Sequence, residues 1–517
     1  MLQLQYRRPG TLWYVSDGLI WDDLPARPRR APRRVECSSR LFLFNPQRKV
    51  AKVCVRFFHP DRPPTHTESA VAAGKIEALA LETLGQIPHR QPFWIVVESD
   101  RPVLPQARHE DYTFWDPVPD AMVAVAPYPG PLKDETSWVF PDCYESDPEG
   151  VWYELETLTL LNPNPRPVTV RVRYLLRNCD GGAEEQIEIP AQRVAGLDVW
   201  ERSPRPIGDP NAPPVHVIGD YAVRLDATGP VVAQTTRRAR WSGYAPIIGS
   251  RSTMGFPLRG RGPTRWYYPG GEIVDRGTLP RAEDADHPLS ECDKTWNLLF
   301  LHNLHATRAA RAVVTFHGPQ GTALTSPSLP LPPAKSALHC LHGNPWLGKF
   351  TEIGQPYALT VKADGPIVPD VCDAEFEPWS QVIPGAMTAV NLYPGPLREE
   401  RTWWLGVGQA GGADDRPVEW EQSYHLFNPG RRAAKVVLSF LGATRRAITH
   451  QVTIRAGAVV KVASSEITGL PMHRPVAVRA DGDAPFCAQV YGRAFTRGSA
   501  HTRSMYSSMG LPMTLGG

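Results

Sequence analysis

The chain repeats one pattern four times. Each copy opens on a tryptophan and continues, through a strand-like run, to an asparagine that begins a turn; the pairs are Trp13 and Asn45, Trp138 and Asn162, Trp266 and Asn303, and Trp403 and Asn428. The spacing is 32, 24, 37 and 25 residues, so long and short copies alternate. Self-similarity at a regular period indicates an array of like modules. Because 517 residues also exceed what one hydrophobic core holds, we expect four modules.

Each module has the pattern of a small β-domain. A strand with period-two alternation and an aromatic end follows each asparagine turn, as in Val168–Tyr174. Such alternation is typical of a half-buried strand. The 54 prolines and 42 glycines favour many turns, and helical periodicity is nearly absent. The sequence therefore predicts an all-β chain of four tandem antiparallel β-sandwiches of jelly-roll-like form.

The module tails define two types in the order A-B-A-B. The first and third copies end in Ala-Met-x-Ala-Val and Tyr-Pro-Gly-Pro-Leu, whereas the second and fourth end in Met-Gly-x-Pro. We place the A-type modules at 1–132 and 258–397, and the B-type modules at 133–257 and 398–517. The A-type copies also carry a Pro-x-x-Pro strand, and since proline cannot donate in a ladder, these strands are predicted to be sheet edges. The order indicates a doubled pair in a pseudo-tetrameric arrangement.

The composition narrows the classes of partner. A formal net charge of +3 gives no electrostatic case for nucleic-acid binding, although the loop 27–34 is rich in arginine. No run approaches 18 apolar residues and residues 1–10 do not resemble a signal peptide, so we expect no membrane insertion and a cytoplasmic location. The eight cysteines stand singly and are expected to be reduced thiols. No cofactor or metal is predicted, because the His-x-x-His pairs at 302–305 and 339–342 span opposite faces of a strand.

The second module resembles the sensory rhodopsin transducer family of small bacterial β-sandwich proteins. The residues that carry the resemblance are Trp138, Glu156-Thr157 before Leu160-Leu161-Asn162, Val170–Tyr174, Ile189–Arg193, and Val231–Gln234 with Arg237. The fourth module keeps a weaker version of this pattern, and the first and third keep less. Members are typically single modules that resemble carbohydrate-binding sandwiches and assemble as homotetramers. The resemblance implies four divergent modules fused into one chain as an intramolecular pseudo-tetramer.

Polar residues on two strands of each B-type module form the candidate ligand site. In the second module they are Glu156, Thr157, Gln234, Arg237 and Arg238, and in the fourth module Gln422, Ser423, Gln489 and Arg493. If the two strands lie side by side, a carboxylate or amide, a hydroxyl and a guanidinium converge on one face, where they can bind a sugar or an acidic group. The alternative is a cross-strand ion pair or a bridge between modules.

The four tryptophans open equivalent strands, and we interpret them as aromatic anchors; they are Trp13, Trp138, Trp266 and Trp403. Large aromatic residues dominate the packing of cores and interfaces, which favours an anchor in either place. A platform on which a sugar ring stacks is the alternative.

The sequence favours a non-enzymatic binding or scaffold protein, with a carbohydrate or other polar small molecule as its ligand. No catalytic residue is assigned, and enzymatic activity is left open. One alternative is a carbohydrate-active enzyme with carboxylates at module seams, for which the candidate pairs are Glu154 with Glu156 and Glu419 with Glu421. The other is a soluble signalling adaptor whose protein partner is a membrane receptor, which only the family resemblance suggests.

Overall fold

The computed structural model describes residues 11–18, 36–87, 91–112, 119, 121–125, 127–146, 152–177, 181–209, 211–241, 247–260, 262–272, 295–341, 354–376, 384–409, 418–442, 446–471, 474–496 and 502–513. Within them the chain is all-β, as predicted, with three single-turn 3-10 helices at Leu81–Thr83, Val199–Glu201 and Ser464–Glu466. None of these described helices is long or apolar enough to cross a membrane. The arginine-rich loop 27–34 and residue 342 of the second histidine pair lie outside the described residues.

The strands fall into four successive units. The first contains β1 (Leu12–Gly18), β2 (Glu36–Phe44), β3 (Ala51–Phe58), β4 (Thr65–Val71), β5 (Ile76–Ala80), β6 (Phe93–Ser99), β7 (Leu104–Tyr112), β8 (Ala121–Val125) and β9 (Tyr128–Pro129). The second contains β10 (Ser137–Glu145), β11 (Trp152–Asn162), β12 (Val168–Leu176), β13 (Ala183–Ile189), β14 (Arg193–Asp198), β15 (Arg205–Pro206), β16 (Gly219–Ala227), β17 (Val232–Trp241), β18 (Ile247–Met254) and β19 (Phe256–Pro257).

The third and fourth units repeat this series. The third contains β20 (Arg265–Glu272), β21 (Thr295–Asn303), β22 (Ala310–His317), β23 (Ala323–Thr325), β24 (Leu329–Leu331), β25 (Ser336–Cys340), β26 (Pro356–Ala363), β27 (Ile367–Phe376), β28 (Pro384–Asn391) and β29 (Tyr393–Pro394). The fourth contains β30 (Thr402–Gln409), β31 (Val418–Phe427), β32 (Ala434–Leu441), β33 (Ile448–Ile454), β34 (Val459–Ala463), β35 (Pro475–Gly482), β36 (Cys487–Thr496), β37 (Thr502–Met509) and β38 (Leu511–Met513).

Each unit consists of two antiparallel sheets with one shared topology. The sheet that contains the anchor tryptophan, here the tryptophan sheet, has the order β4-β3-β6-β1-β9 in the first unit. The other sheet, here the axial sheet, has the order β5-β2-β7-β8. The corresponding axial sheets are β14-β11-β17-β18, β25-β21-β27-β28 and β34-β31-β36-β37. The second unit adds β15 at the edge of its tryptophan sheet, and the third splits its edge between β23 and β24.

The prediction that the Pro-x-x-Pro strands are sheet edges is wrong. β7 lies between β2 and β8, and β27 lies between β21 and β28. Pro105 pairs with β2 only, because the ladder to β8 begins at Ala107. Pro369 likewise pairs with β21 only, because the ladder to β28 begins at Asp370. Each proline therefore lies at the end of an inner strand that is paired on one side only. Its lack of an N–H leaves no ladder hydrogen bond unmade on the unpaired side, as would also be true on an edge strand.

The repeated asparagine is a buried turn residue in all four units, as its position before a turn predicts. In the first unit, Asn45 Nδ2 donates to the carbonyl oxygens of Lys49 and Val71, each at 2.8 Å. Its Oδ1 accepts from the backbone N–H of Gln47 at 2.9 Å. The same three-way pattern recurs at Asn162, Asn303 and Asn428. One side chain thus satisfies the backbone groups of a buried turn in every repeat.

The four units close into a ring. The last long strand of each axial sheet, here called an axial strand, contacts its counterparts in the cyclic order β8, β18, β28, β37 and back to β8. The first strand of each unit contacts the axial sheet of the next unit in the same cyclic order: β1 contacts β17, β10 contacts β27, β20 contacts β36 and β30 contacts β7. Because every contact is head to tail and the last returns to the first, the units form a closed pseudo-fourfold arrangement.

Every unit completes its neighbour's hydrophobic core. The residue after each anchor tryptophan and one residue of each tail pack into the core of the following unit. These pairs are Tyr14 and Tyr128 into the second unit, Val139 and Phe256 into the third, Tyr267 and Tyr393 into the fourth, and Trp404 and Leu511 into the first. Burying these side chains contributes roughly 2 kcal/mol each, so the ring is held mainly by shared apolar packing.

Candidate functional site

The four anchor tryptophans lie inside the sandwiches. All four are at most 1% exposed, and the indole N–H of Trp13, Trp138 and Trp403 donates to a backbone carbonyl of its own unit at 2.8–3.0 Å. A tail ring from the preceding unit covers three of them edge-on: Tyr128 on Trp138, Phe256 on Trp266 and Tyr393 on Trp403, with centroids 4.8–5.2 Å apart. Both the core and the module interface are therefore packed around these residues.

In the second unit, the predicted carboxylate and guanidinium do meet. β11 and β17 are neighbours, with Glu156 opposite Arg237. Arg237 Nε lies 3.0 Å from Glu156 Oε2, Nη1 lies 3.4 Å from Glu154 Oε2, and Nη2 lies 3.2 Å from Asp142 Oδ1. Arg237 is 7% exposed, so its charge is balanced by three carboxylates away from water. The arrangement therefore corresponds to the predicted alternative, a cross-strand ion pair, and not to an open binding face.

Asp142 links this cluster to a second arginine. Both Arg237 and Arg251 form ion pairs with its carboxylate, and Arg251 Nη2 also donates to the Asp142 carbonyl at 3.3 Å. Burial would raise the pKa of Asp142, but the two guanidinium groups lower it below its usual range. Burial raises the pKa of Glu145, on the same strand, to about 9. The cluster thus combines ionised and protonated carboxyl groups in one buried volume.

The third unit contributes Asp370 to the same seam. Burial raises the pKa of Asp370 to about 8, and the negative charge of Asp142 adds to this effect. Asp370 occupies the position that Gln106, Gln234 and Gln489 hold in the other units. Each of the four follows by four residues the proline in the turn before its strand, here the hairpin proline; these prolines are Pro102, Pro230, Pro366 and Pro485. The seam between the second and third units therefore carries a titratable carboxyl group at a point where the other units carry an amide, which does not titrate.

Three of the predicted residues in the second unit do not join the arginine cluster. Thr157 lies on the opposite face of β11, where its hydroxyl donates to Asp198 Oδ1 at 2.6 Å. Gln234 Nε2 donates to Thr236 Oγ1 at 3.1 Å and also to Ser252. Arg238 is 4% exposed and follows Arg237, so it too lies on the other face. Alternation along a strand separates side chains that are neighbours in sequence.

In the fourth unit, Arg493 bridges to the third unit. Its Nη1 lies 3.2 Å from Glu272 Oε2, and its Nε lies 3.2 Å from Glu375 Oε1. Lys461 adds a second cation at 2.7 Å from Glu272. The positive charges of Arg493 and Lys461 lower the pKa of Glu272 against the effect of burial. Arg493 therefore closes a seam between units.

The remaining predicted residues of the fourth unit are also enclosed. Gln422 accepts from the Tyr424 hydroxyl at 2.9 Å and donates to Tyr506. Ser423 Oγ lies 3.2 Å from His425 Nε2. Gln489 is fully buried. Within the described part of the chain, no group of three His, Cys, Asp or Glu side chains is placed to hold a metal ion.

The seam between the fourth and first units uses the neutral version of this contact. Gln106 Oε1 accepts a hydrogen bond from the backbone N–H of Val407 in the fourth unit. Gly406 has φ +80°, and a side chain there would collide with the Gln106 carboxamide. The bulge in β30 and the absence of a side chain at 406 together admit the glutamine from the neighbouring unit.

A cavity lies where the four axial strands end. It measures about 120 Å³, is partly open to solvent, and is lined by tail residues of all four units. Its apolar walls include Met254, Met509 and Leu392, and its polar groups include Thr253 and Ser508. No charged side chain is among the described residues that line it. This site was not predicted from the sequence, although the aligned tails differ there: the B-type tails carry Thr253 and Ser508 where the A-type tails carry valine.

These observations define the class of protein: a single-chain ring of four β-sandwich modules, with ionic and amide seams and a cavity on the axis. Over residues 10–126, the first unit matches the family model described as Anabaena sensory rhodopsin transducer. The predicted resemblance to that family is confirmed, on the first unit. The residues on which the resemblance was predicted lie in the second unit, outside the matched range.

Two solved structures are similar to single modules of the chain. The Thermotoga maritima protein 1070 is 20% identical, covers 24% of this chain and 96% of its own, and has a TM-score of 0.18. The Anabaena sensory rhodopsin transducer is 20% identical, covers 21% of this chain and 91% of its own, and has a TM-score of 0.16. No curated protein matches the chain.

Proposed function

We propose that the chain is a non-enzymatic binding and scaffold protein, which holds a carbohydrate or other polar small molecule in the axial cavity. The observation that carries this is the cavity itself, because all four units line it and it exists only when the ring is closed. Ligand sites in β-proteins commonly combine apolar walls with a few polar groups. The ion pairs of Arg493 with Glu272 and Glu375 support the scaffold role, since they join the fourth unit to the third.

The carboxylate pair of the second unit is not arranged for a glycosidase. Glu154 and Glu156 both pair with Arg237 and are 4% and 2% exposed. A glycosidase pair needs one carboxyl group to donate a proton to substrate and the other to attack or to activate water. Two carboxylates neutralised by one buried guanidinium meet neither need.

The test is saturation-transfer NMR of the full chain against a panel of neutral and charged monosaccharides. We expect transfer to at least one sugar from wild type, and its loss in Met509→Trp, which fills the cavity. Met509→Leu conserves the volume and is the matched control. Absence of transfer to every sugar would refute the proposed ligand class, and transfer that survives Met509→Trp would place binding elsewhere.

A second candidate, a soluble signalling adaptor, is favoured by one observation: the family matched by residues 10–126 is named for a transducer of a sensory rhodopsin. Its test is binding of the purified chain to a purified sensory rhodopsin in detergent, in light and in darkness. Light-dependent binding would support the adaptor, and equal absence of binding in both states would remove it.

A further inference from the structure

The contact between the third and fourth units, here the third–fourth seam, contains two histidine side chains. The imidazole of His317, in the third unit, lies beside the ring of Phe427 in the fourth, with centroids 4.7 Å apart. His425, in the fourth unit, is 1% exposed and packs on the backbone of β20 in the third. A Cβ atom at Gly270 would lie 2.2 Å from His425 Nδ1, so the imidazole fits there only because residue 270 has no side chain. Both histidines therefore contact the opposite unit.

Ion pairs bring a third titratable group to the same seam. Glu272 of the third unit lies 2.7 Å from Lys461 Nζ and 3.2 Å from Arg493 Nη1, both in the fourth unit. Arg493 Nε also lies 3.2 Å from Glu375 of the third unit, and Lys461 Nζ lies 3.9 Å from Glu421 of its own unit. The seam is thus held by charged groups from both units as well as by packed rings.

The other units carry residues that do not titrate where these two histidines stand. The strand registers give the residues equivalent to His317, which are Phe58, Leu175 and Leu441. The residues equivalent to His425, three positions before the repeated asparagine, are Phe42, Thr159 and Phe300. Because three units form the same fold with apolar or hydroxyl side chains at these positions, the fold does not require the imidazoles.

The surroundings of His425 keep its imidazole neutral. Burial lowers the pKa of His425 to about 3. The negative charge of Glu272 acts against this effect, and the positive charges of Lys461 and Arg493 add to it. Its Nε2 lies 3.2 Å from Ser423 Oγ, and its Nδ1 has no hydrogen-bond partner among the described residues. A proton on His425 therefore has no buried acceptor beside it.

His317 is kept neutral in the same way. Burial lowers the pKa of His317 to about 4; the backbone of Gly457 opposes this effect, and Lys362 of its own unit adds to it. A histidine in water titrates near pH 6.5. When the seam opens, both imidazoles meet water and bind the protons that the closed seam excludes. Between pH 7 and pH 4.5 this difference favours the open seam by roughly fiftyfold for each histidine.

We propose that the third–fourth seam is a pH-sensitive switch, which opens in acid while the fourth–first seam stays closed. Protonated His425 lies beside Arg493 and Lys461, so repulsion between like charges adds to the loss of hydration. The two cations also lower the pKa of Glu272 against the effect of burial, so its ion pairs are lost only at still lower pH. The ring then loosens at one defined place, independently of any ligand in the axial cavity.

Titratable groups at the other seams differ in number or in sign. At the second–third seam, burial lowers the pKa of His302 to about 3, and Arg224 of the second unit adds to this effect. The pKa of Asp370, raised to about 8, has the opposite pH dependence there, so the two groups offset each other. At the first–second seam, burial lowers the pKa of His59 to about 4, but its imidazole bonds to Thr65 of its own unit at 2.8 Å. The fourth–first contact of Gln106 with Val407 contains no titratable side chain.

Within the third unit, Asp373 has the opposite dependence but is enclosed by its own unit. Burial raises the pKa of Asp373 to about 6, against the hydrogen bonds from Asn297 and Tyr268 and the charge of Arg493. Asn297 and Tyr268 both belong to the third unit and remain with Asp373 when the fourth unit moves away. Asp373 therefore keeps its buried partners in the open state and does not cancel the effect of the two histidines.

The experiment is hydrogen exchange on the full chain at pH 7, 6, 5 and 4.5, expressed as protection factors. The backbone N–H of Val459 donates to the Gly318 carbonyl oxygen across the third–fourth seam at 3.5 Å and reports its opening. The Val407 N–H reports the fourth–first seam, and the amides of β32 report global unfolding. We expect protection of Val459 to fall at least fiftyfold from pH 7 to pH 4.5, while Val407 and β32 stay protected.

The double variant His317→Leu with His425→Phe places at the seam the residues that other units carry. Its Val459 protection should not depend on pH, and each single substitution should remove part of the dependence. His450→Gln, on the edge strand β33 of the same unit, is the matched control and should leave the profile of wild type unchanged. Constant protection of Val459 in wild type, an equal fall in the double variant, or a parallel fall at Val407 or β32 would overturn the proposal.

Discussion

Two seams of the ring make the same contact between neighbouring units with different side chains. They are the seam between the second and third units and the seam between the fourth and first units. In both, the residue four positions after the anchor tryptophan of one unit lies near the residue four positions after the hairpin proline of the next unit. At the fourth–first seam this position is Gln106, bound to the Val407 N–H, beside Phe44 and Trp404 with ring centroids 5.4 Å apart. At the second–third seam it is Asp370, facing the Asp142 cluster. Both seams therefore have the same contact between strands. The side chain at this position determines whether the stability of the contact depends on pH.

The strongest way to break the ionic seam is Asp142→Asn. It leaves Arg237 and Arg251 buried without their shared carboxylate, and removing one partner of a buried ion pair costs about 4 kcal/mol. We expect this loss in the free energy of unfolding, measured by urea denaturation. Asp226→Asn, which removes a carboxylate that is 29% exposed, is the control and should cost less than about 1 kcal/mol. Equal losses in both variants would show that burial of the Asp142 cluster adds nothing to its contribution to stability.

The ionic seam should also depend on pH. Aspartate in an unfolded chain titrates near pH 4, whereas the pKa of Asp370 in the folded state is raised to about 8. Between these values the folded protein holds a proton that the unfolded chain has lost, so stability falls as pH rises through this window. At about 1.4 kcal/mol per pH unit, this group alone lowers the free energy of unfolding by about 3 kcal/mol from pH 5 to pH 7.

Asp370→Asn isolates that contribution. The amide does not titrate, so we expect the variant's unfolding free energy to fall less than that of wild type over the same range. Urea denaturation at pH 5, 6 and 7 measures the difference between the two profiles. Glu145, whose pKa is raised to about 9, contributes equally to both proteins and cancels in the comparison. Parallel profiles would show that Asp370 does not bind the extra proton.

The neutral seam is tested at a single backbone amide. Gln106→Ala leaves the Val407 N–H buried without its acceptor, which costs about 2 kcal/mol. Hydrogen exchange should show faster exchange at Val407, by the corresponding factor of about 30. Gln451→Ala removes an exposed glutamine of β33 and should leave this amide unchanged. Retained protection in Gln106→Ala would mean that another group holds the Val407 N–H.

The smallest expected effect concerns an aromatic contact at the neutral seam. The guanidinium of Arg108 lies over the ring of Trp420, 4.2 Å from its centroid. A double-mutant cycle with Arg108→Met and Trp420→Leu should give a coupling energy of about 1 kcal/mol. The same cycle with Trp200, which stacks on His216 in the second unit, should give none. A coupling energy of zero would show that Arg108 and Trp420 lie close together without stabilising the fold through this contact.

The repeat and the strand pattern were sufficient to predict the all-β modules. The Trp-to-Asn spacing, the buried asparagine turn and the alternation of the tails each correspond to a structural element in every unit. These features are local, because one turn or one strand shows its own periodicity. The position of Pro105 inside β7 was misjudged for the same reason, since a sequence shows a missing donor but not on which side a strand is paired.

The site was harder to predict, because its partners come from different units. Glu156 and Arg237 were correctly expected to meet, yet Asp142 and Asp370 were missed. Asp142 joins the pair to Arg251 within the second unit, and Asp370 is the residue that the third unit contributes. The sequence held one signal: Asp142 lies four residues after Trp138, at the position of Val407 after Trp403. A carboxylate within the apolar run from Trp138 to Cys143 indicates a buried partner, but only the folded structure shows which one.

The tail rings that cover the tryptophans imply an order of assembly during synthesis. When the second, third and fourth sandwiches are synthesised, the tail ring that covers the tryptophan of each has already been made as part of the preceding unit. The first sandwich alone must wait for its own lid, supplied by Trp404 and Leu511 of the last unit. Its interior stays incompletely covered until the fourth unit has been translated, so the first unit is where a chaperone would be needed longest.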